Sequence, residues 1–245
     1  MRSFNSLPAL LTIALLGVGC ASTAPSPGGE WVEVLDGTTR VTCHGANLEG
    51  PMGPRLARSD VYVSPDGSRR AWVEVEARAL VDGDDGGTCQ NISRLYVADA
   101  SGTAVAFTQR PGWEGRNGNA LEIVDWSSDG TQLMMELFTW TYPTDPASPL
   151  VLVWDAGTLQ TRQIDARAAV GARLSQGCAF ELRGRGFTDS GLPLLAVSSP
   201  VDKPCAGSPG HVIARENGVT IEPLSGTPPA HRARREPPGS ATRVR

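Results

Sequence analysis

Short apolar runs separated by polar turns fill most of the chain between residues 60 and 225, a pattern that predicts β-strands joined by tight turns. Residues 61–80 set the plan, with a short apolar run, the turn Ser64-Pro65-Asp66-Gly67 and a longer run. Pro65 presets φ at the first corner of that turn, and Asp66 can bond the backbone beside it. Gly67 can adopt the positive φ that closes the turn. The segment is therefore predicted to be a β-hairpin.

The same plan recurs at nearly constant intervals. Ser127-Ser128-Asp129-Gly130 follows the first turn by 63 residues, and Thr188-Asp189-Ser190-Gly191 follows after another 61. Each turn leads into a long strand, a polar loop, a third strand, a tight turn and a fourth strand. The predicted long strands are about Arg70–Leu80, Leu133–Tyr142 and Leu192–Val201. Four antiparallel strands per unit are typical of a propeller blade, because such repeats bury their faces only against neighbours.

We therefore predict an all-β, propeller-like fold with three to four four-stranded antiparallel blades in residues 30–225. A β-sandwich is the alternative, although it does not require the same turn at constant intervals. Three blades are clear, and Val32–Leu35 and Thr39–Thr42 add one or two further strands. Closed propellers usually have four or more blades, so self-association into a closed ring is a further hypothesis.

The repeat resembles that of TolB-like propellers, whose units carry a Ser-Pro-Asp-Gly turn followed by a strand that opens with small and aromatic residues. In the first unit Ser64, Pro65, Asp66, Gly67, Ala71 and Trp72 match; in the second Ser127, Asp129 and Gly130 match; in the third only Gly191 does. The resemblance covers about residues 60–225. It implies the fold alone, because such blades serve binding proteins, translocation factors and peptidase accessory domains alike.

The N-terminus is predicted to be a lipoprotein signal peptide over residues 1–19. Arg2 precedes an apolar run that is short for a membrane span and ends in LLGVGC. The small residues before Cys20 resemble the bacterial signal in which that cysteine is acylated. Ala21 in the next position implies the outer membrane, with the protein facing the periplasm. Residues 20–29 are predicted to be a flexible tether.

Four cysteines remain in a compartment that permits disulfides. Cys43 and Cys178 precede the first strand of their units, whereas Cys89 and Cys205 lie between the second and third strands. The second unit lacks both positions. This equivalence favours the pairs Cys43–Cys89 and Cys178–Cys205. With no CxxC pair and three histidines, a metal site is not predicted, and neither is a cofactor.

Charge separates the end of the chain from its body. The formal net charge of −4 gives no reason to expect nucleic acid as a partner. Residues 226–245 are rich in Pro and Arg with few apolar residues, and we predict a disordered tail.

Two function classes fit these features. The first is a non-catalytic envelope module that binds a protein, peptide or glycan, with Arg110, Trp113 and Arg116 as a possible contact surface, since Trp and Arg are enriched in interface hot spots. The second is a propeller-type hydrolase or lyase with a dispersed funnel site. No nucleophile elbow, zinc-protease or phosphate-loop motif occurs in the sequence, so no catalytic residue is predicted. The binding module is the preferred hypothesis.

Overall fold

The structure is a computed structural model that describes residues 55–80, 88–110, 117–141, 148–200 and 204–236. The signal peptide, Cys20, Cys43, Trp113 and Arg116 lie outside the described residues, as do the strands predicted at residues 32–35 and 39–42.

The described residues form three antiparallel sheets that follow one another along the chain, so the all-β prediction is confirmed. The first sheet contains β1 (Arg55–Arg58), β2 (Val61–Val63), β3 (Arg70–Leu80), β4 (Thr88–Asp99), β5 (Gly102–Gln109) and the C-terminal β14 (Arg234–Glu236). The second contains β6 (Asn117–Trp126), β7 (Gln132–Thr141), β8 (Leu150–Asp155) and β9 (Gln160–Ile164). The third contains β10 (Glu181–Phe187), β11 (Pro193–Ser198), β12 (His211–Arg215) and β13 (Thr220–Pro223). A short helix α1 (Arg167–Gly171) joins the second and third sheets.

Strands within each sheet pair in chain order, as four-stranded meanders do. β1 and β2 both pair with β3, so together they act as one broken first strand. In the first sheet β14 is the exception, because it pairs with β2 from the far end of the chain. The four-strand plan of each unit is therefore present, including the long second strand predicted at Arg70–Leu80.

The three repeated turns share one hydrogen-bond pattern. Ser64 Oγ donates to Asp66 Oδ1 over 2.6 Å and accepts from the Arg69 N–H. Ser127 and Asp129 make the equivalent pair of contacts in the second turn. Gly67 and Gly130 have φ of 73° and 66°, values that residues with a Cβ rarely adopt.

The third turn keeps the pattern in a tighter form. Thr188 Oγ1 lies 2.9 Å from Ser190 Oγ and accepts from the Leu192 N–H, four residues on. In the first two turns the equivalent hydrogen bond joins residues that are five apart. Because a one-residue change inverts the faces of a strand, the shorter turn sets which side of β11 meets the second sheet.

The second sheet is buried on both faces. In β7, Leu133, Met135 and Leu137 belong to a core cluster shared with the first sheet. Met134, between them, belongs to a second cluster shared with the third sheet. A strand covered on both sides has no polar face, which explains the nearly continuous apolar run LMMELF.

Polar side chains also tie the first two sheets together. Ser93 Oγ lies 2.6 Å from Asn119 Oδ1, and Asn119 Nδ2 donates to the Asn91 carbonyl over 2.7 Å. All three residues are buried. Buried polar groups stabilise a fold when they are paired, so this contact fixes β4 against β6.

A charged pair joins the second and third sheets. Glu136, 3% exposed, accepts two N–H groups of Arg183 at 2.7–3.0 Å and the Gly184 N–H at 2.5 Å. These hydrogen bonds raise the pKa of Arg183 above its ordinary value. A bidentate arginine is the geometry in which a buried carboxylate is well compensated.

The Cys178–Cys205 disulfide that the repeat predicted is present. It joins the loop before β10 to the loop before β12. The partner pair, Cys43–Cys89, includes a residue outside the described ranges.

The C-terminal segment differs from the expectation of disorder from residue 226 onward. Residues 226–236 have a defined path, and Arg234–Glu236 pairs with β2. Composition predicted disorder because the segment has few apolar residues. Its order comes from strand pairing and from contacts to buried polar groups, which composition does not register.

The repeated turns are expected to make stability sensitive to acid. The hydroxyl of Ser64, followed by the groups of Ser68, lowers the pKa of Asp66 to about 2. A carboxylate whose folded pKa lies below its unfolded value stabilises the fold fully above about pH 4, and that contribution is lost as pH falls towards 2. We expect Asp66→Asn to lower the urea midpoint at pH 7 and to differ little from wild type near pH 2.

Asp165→Asn is the matched control, since the exposed Asp165 carboxylate accepts one long hydrogen bond, from the Arg167 N–H at 3.3 Å. An Asp66→Asn deficit that is the same at pH 7 and pH 2 would contradict the assignment.

Candidate functional site

The first strands of the three sheets contact one another in order, β2 with β6 and β6 with β10. Arg69 Nη1 donates to the carbonyl of Gly130 over 3.0 Å, which joins the first turn to the second. Ser128 Oγ donates to the carbonyl of Asp189 over 3.3 Å, which joins the second turn to the third. Both contacts span 61 residues, about one repeat. The repeat therefore builds a row of turns beside the first strands, which we call the inner edge.

The C-terminal segment His231–Glu236 crosses this inner edge and contacts all three sheets. On the first sheet β14 pairs with β2, with Arg234 opposite Val63 and Glu236 opposite Val61. The guanidinium of Arg235 lies 5.1 Å from the ring centroid of Tyr62. The strand supplies backbone partners to an edge that the meander itself leaves unpaired.

Asp125 holds the segment on the second sheet. The residue is 2% exposed and lies at a bulge in β6. Its Oδ1 accepts the backbone N–H groups of Trp126, Arg232 and Ala233 at 2.8–3.0 Å. A buried carboxylate is costly unless such donors compensate it. The C-terminal segment supplies two of these three donors.

Arg232 fastens the segment to the third sheet. Its Nη1 donates to the carbonyls of Phe187 at 3.0 Å and Thr188 at 3.3 Å, and its Nη2 contacts the Asp189 carboxylate. The Arg232 side chain is 17% exposed, whereas Asp189 is 94% exposed. The two strand-end carbonyls thus both accept from the Arg232 guanidinium.

The C-terminal segment lies in a groove formed by β2, Asp125 and the end of β10. His231 is the first residue of this segment. Its Nδ1 is 3.7 Å from Asp125 Oδ2, and its Nε2 is 3.4 Å from Arg185 Nη1. An Asp–His pair is one part of many hydrolytic sites. Here the Asp125 oxygens face backbone donors, so the carboxylate anchors a chain segment. The inner edge holds the backbone of the C-terminal segment and the Arg232 guanidinium.

A second surface lies on the outer face of the first sheet. Trp72 and Tyr96 stack with ring centroids 5.5 Å apart, and the Arg58 guanidinium lies 4.3 Å from the Trp72 ring. Glu74 accepts from Trp72 Nε1 at 3.2 Å, and Arg94 pairs with Glu76 at 3.1 Å. We call this set of six residues the aromatic face. All six are partly exposed.

The aromatic face occupies positions that the second sheet fills with apolar residues. Counting from the shared turns, Trp72 and Glu74 correspond to the fully or nearly fully buried Met135 and Leu137. Polar and charged side chains at these places are consistent with contact to water or to a partner.

A cleft of about 280 Å³ separates the β4–β5 hairpin from the β8–β9 hairpin. Trp154 lies at its floor, and the exposed side chains of Val105 and Leu159 lie on its rim. Leu159 has φ of 55°, a strained conformation for a residue with a branched side chain.

Of the predicted contact surface, Arg110 alone falls within the described residues, where it is exposed. Its carbonyl accepts from the Gln109 side chain. The turn residues Ser64, Pro65, Asp66, Gly67, Ser127, Asp129, Gly130 and Gly191 all lie in the three repeated turns. The sequence thus placed the turns but not the groove beside them.

Asp125 and Arg232 were not predicted as site residues. Asp125 immediately precedes Trp126 in a strand, where a charge is unusual, and this was the available signal. Nothing local marks Arg232, because its partners lie more than forty residues away.

In the described part of the chain, no three His, Cys, Asp or Glu side chains cluster so as to hold a metal ion. Nor does any helix among these residues have the length and apolar character to cross a membrane. Comparison with protein-family models, with curated proteins and with solved structures found no match.

The contacts that hold the C-terminal segment predict that it is protected from proteases. Asp125→Asn removes the negative charge and puts an amide N–H₂ in place of Oδ2, which now accepts the Arg232 N–H at 3.0 Å. We expect trypsin to cleave after Arg232, Arg234 and Arg235 at least ten times faster in Asp125→Asn, since exposed, detached segments are the preferred sites of nicking. Cleavage is followed by mass spectrometry of the intact chain.

Asp165→Asn serves as the control and is expected to match wild type. Equal cleavage rates in Asp125→Asn and wild type would show that the carboxylate does not hold the segment.

Proposed function

We propose that this protein is a non-catalytic binding or scaffold module of the bacterial cell envelope. In this proposal Cys20 carries the lipid that anchors it to the outer membrane, facing the periplasm. The folded domain presents a propeller-like stack of TolB-like repeats to a protein, peptide or glycan partner. Acyl chains contribute roughly 0.8 kcal/mol per buried methylene, so more than one chain makes a stable anchor.

The aromatic face is the observation that carries the binding proposal. It combines Trp, Tyr and Arg, the residue types that dominate interface hot spots, on the outer face of the first described sheet. Its rings are already ordered by stacking and by the Arg58 guanidinium. A partner would therefore meet a surface that loses little side-chain entropy on binding.

Support for the propeller-like arrangement comes from the repeat. Three consecutive meanders place their first strands together and their equivalent turns in contact, as blades around a shared axis do. The polar outer face of the first sheet resembles a capping repeat, which ends a stack in water or against a partner.

The binding proposal is tested by quantitative capture from crosslinked envelopes. We expect wild type to recover a discrete partner that is lost when Trp72 and Tyr96 are both changed to Ala. Leu159→Ala removes an exposed apolar side chain from a different surface and is expected to retain the partner. Circular dichroism checks that all three chains are folded. Identical capture by all three would contradict a role for the aromatic face.

The anchor is tested separately with Cys20→Ser. We expect wild type to fractionate with membranes and to carry acyl chains by mass spectrometry, and Cys20→Ser to be recovered in the aqueous fraction. Unmodified wild-type chain would overturn the lipoprotein proposal without affecting the capture result.

A further inference from the structure

The C-terminal segment is joined to the rest of the fold by a weakly supported connection. Residues 224–230 link β13 to His231, and most of them are exposed. Leu224 donates a backbone hydrogen bond to His211. Gly226 has φ of 95°, and Pro228 and Pro229 follow it. A change in direction of this connection would disturb little of the core.

Specific contacts hold the segment on the body of the fold. Val61–Val63, the Asp125 carboxylate and the carbonyls of Phe187 and Thr188 all belong to the body of the fold. The segment adds three paired residues, two backbone donors and one guanidinium. Any chain that carries the same segment can make the same contacts.

We propose that the inner edge is an exchange site at which two copies of this chain bind each other's C-terminal segments. In the exchanged pair, Arg232 and β14 of one copy occupy the groove formed by β2, Asp125 and the end of β10 in the other. Each groove is then completed by its partner copy. Domain swapping of this kind forms a dimer without any contact that the monomer lacks.

A second copy fits better than an unrelated partner because complementarity to this segment is present in the molecule itself. Arg232 reaches the carbonyls of Phe187 and Thr188, and Arg234 pairs with Val63. The Arg235 side chain also meets Tyr62. A second copy supplies all these groups in the same order.

Concentration decides between the closed and exchanged forms. A short tether gives the segment an effective concentration in the millimolar range at its own groove, so dilute chains remain closed monomers. Confinement on a membrane raises the local concentration of neighbouring copies. This consequence rests on the proposed Cys20 anchor, whereas the exchange site itself does not.

The experiment traps the segment in another copy by a disulfide. Arg234 lies directly opposite Val63 across the β14–β2 pair, so cysteines at these positions are placed to bond. One full-length chain carries Val63→Cys and a second, differently tagged chain carries Arg234→Cys. Neither can form this link within itself. The chains are mixed at roughly millimolar concentration, oxidised and mapped by mass spectrometry for the 63–234 link.

The doubly substituted chain, Val63→Cys with Arg234→Cys, is the register control and is expected to link within one copy in dilute solution. The mixture is expected to yield a 63–234 heterodimer. Moving the second cysteine from position 234 to position 235, which lies opposite Tyr62 and on the other face of β14, should lower that yield at least tenfold.

Two outcomes would overturn the proposal. One is an intramolecular link in the double variant with no heterodimer in the mixture. The other is a heterodimer that forms equally well with Arg235→Cys in place of Arg234→Cys, which would mean that the chains meet without the β14–β2 register. Neither outcome depends on capture by the aromatic face, so failure here is distinct from failure of the proposed binding function.

Discussion

The burial of the second sheet on both of its faces is the constraint on which the rest of the molecule depends. Val151 and Val153 point to the cluster shared with the third sheet, whereas Leu152 and Trp154 point to the cluster shared with the first. The first and third sheets each have one face in these clusters. Because such repeats bury their faces only against neighbours, neither flanking sheet retains its core if the second sheet is lost.

The outer face of the first sheet and the inner edge are not packed against another of the three described sheets, so other contacts have to cover them. The aromatic face closes the first sheet with ion pairs and stacked rings instead of apolar packing. The C-terminal segment closes the other exposed feature, the inner edge, by pairing β14 with β2. Both devices limit uncontrolled association of exposed sheets.

The fold could be predicted from the sequence as far as local rules extend. The turn at Ser64–Gly67 combines residues that each favour a tight turn, and its recurrence at Ser127 and Thr188 predicted three successive meanders and their strand order. Equivalence of loop positions also predicted the Cys178–Cys205 disulfide. These features depend on residues that are close in sequence or related by the repeat.

The groove could not be predicted in this way. Asp125 is satisfied by the backbone of Arg232 and Ala233, more than a hundred residues later, and the segment that supplies these donors has the composition of a disordered tail. Trp72 and Trp154 both lie in strands, yet one is on the aromatic face and the other is buried. The difference depends on whether another sheet lies beyond, which strand periodicity does not reveal.

Native-state hydrogen exchange of the full chain tests the central role of the second sheet most directly. If the second sheet holds the stack together, the amides of Leu133–Leu137 should exchange only through global unfolding, with a free energy equal to that from urea denaturation. The paired amides of the first and third sheets should exchange at or below that free energy. Exchange of the β7 amides at a clearly lower free energy than those of β3 or β11 would contradict this account.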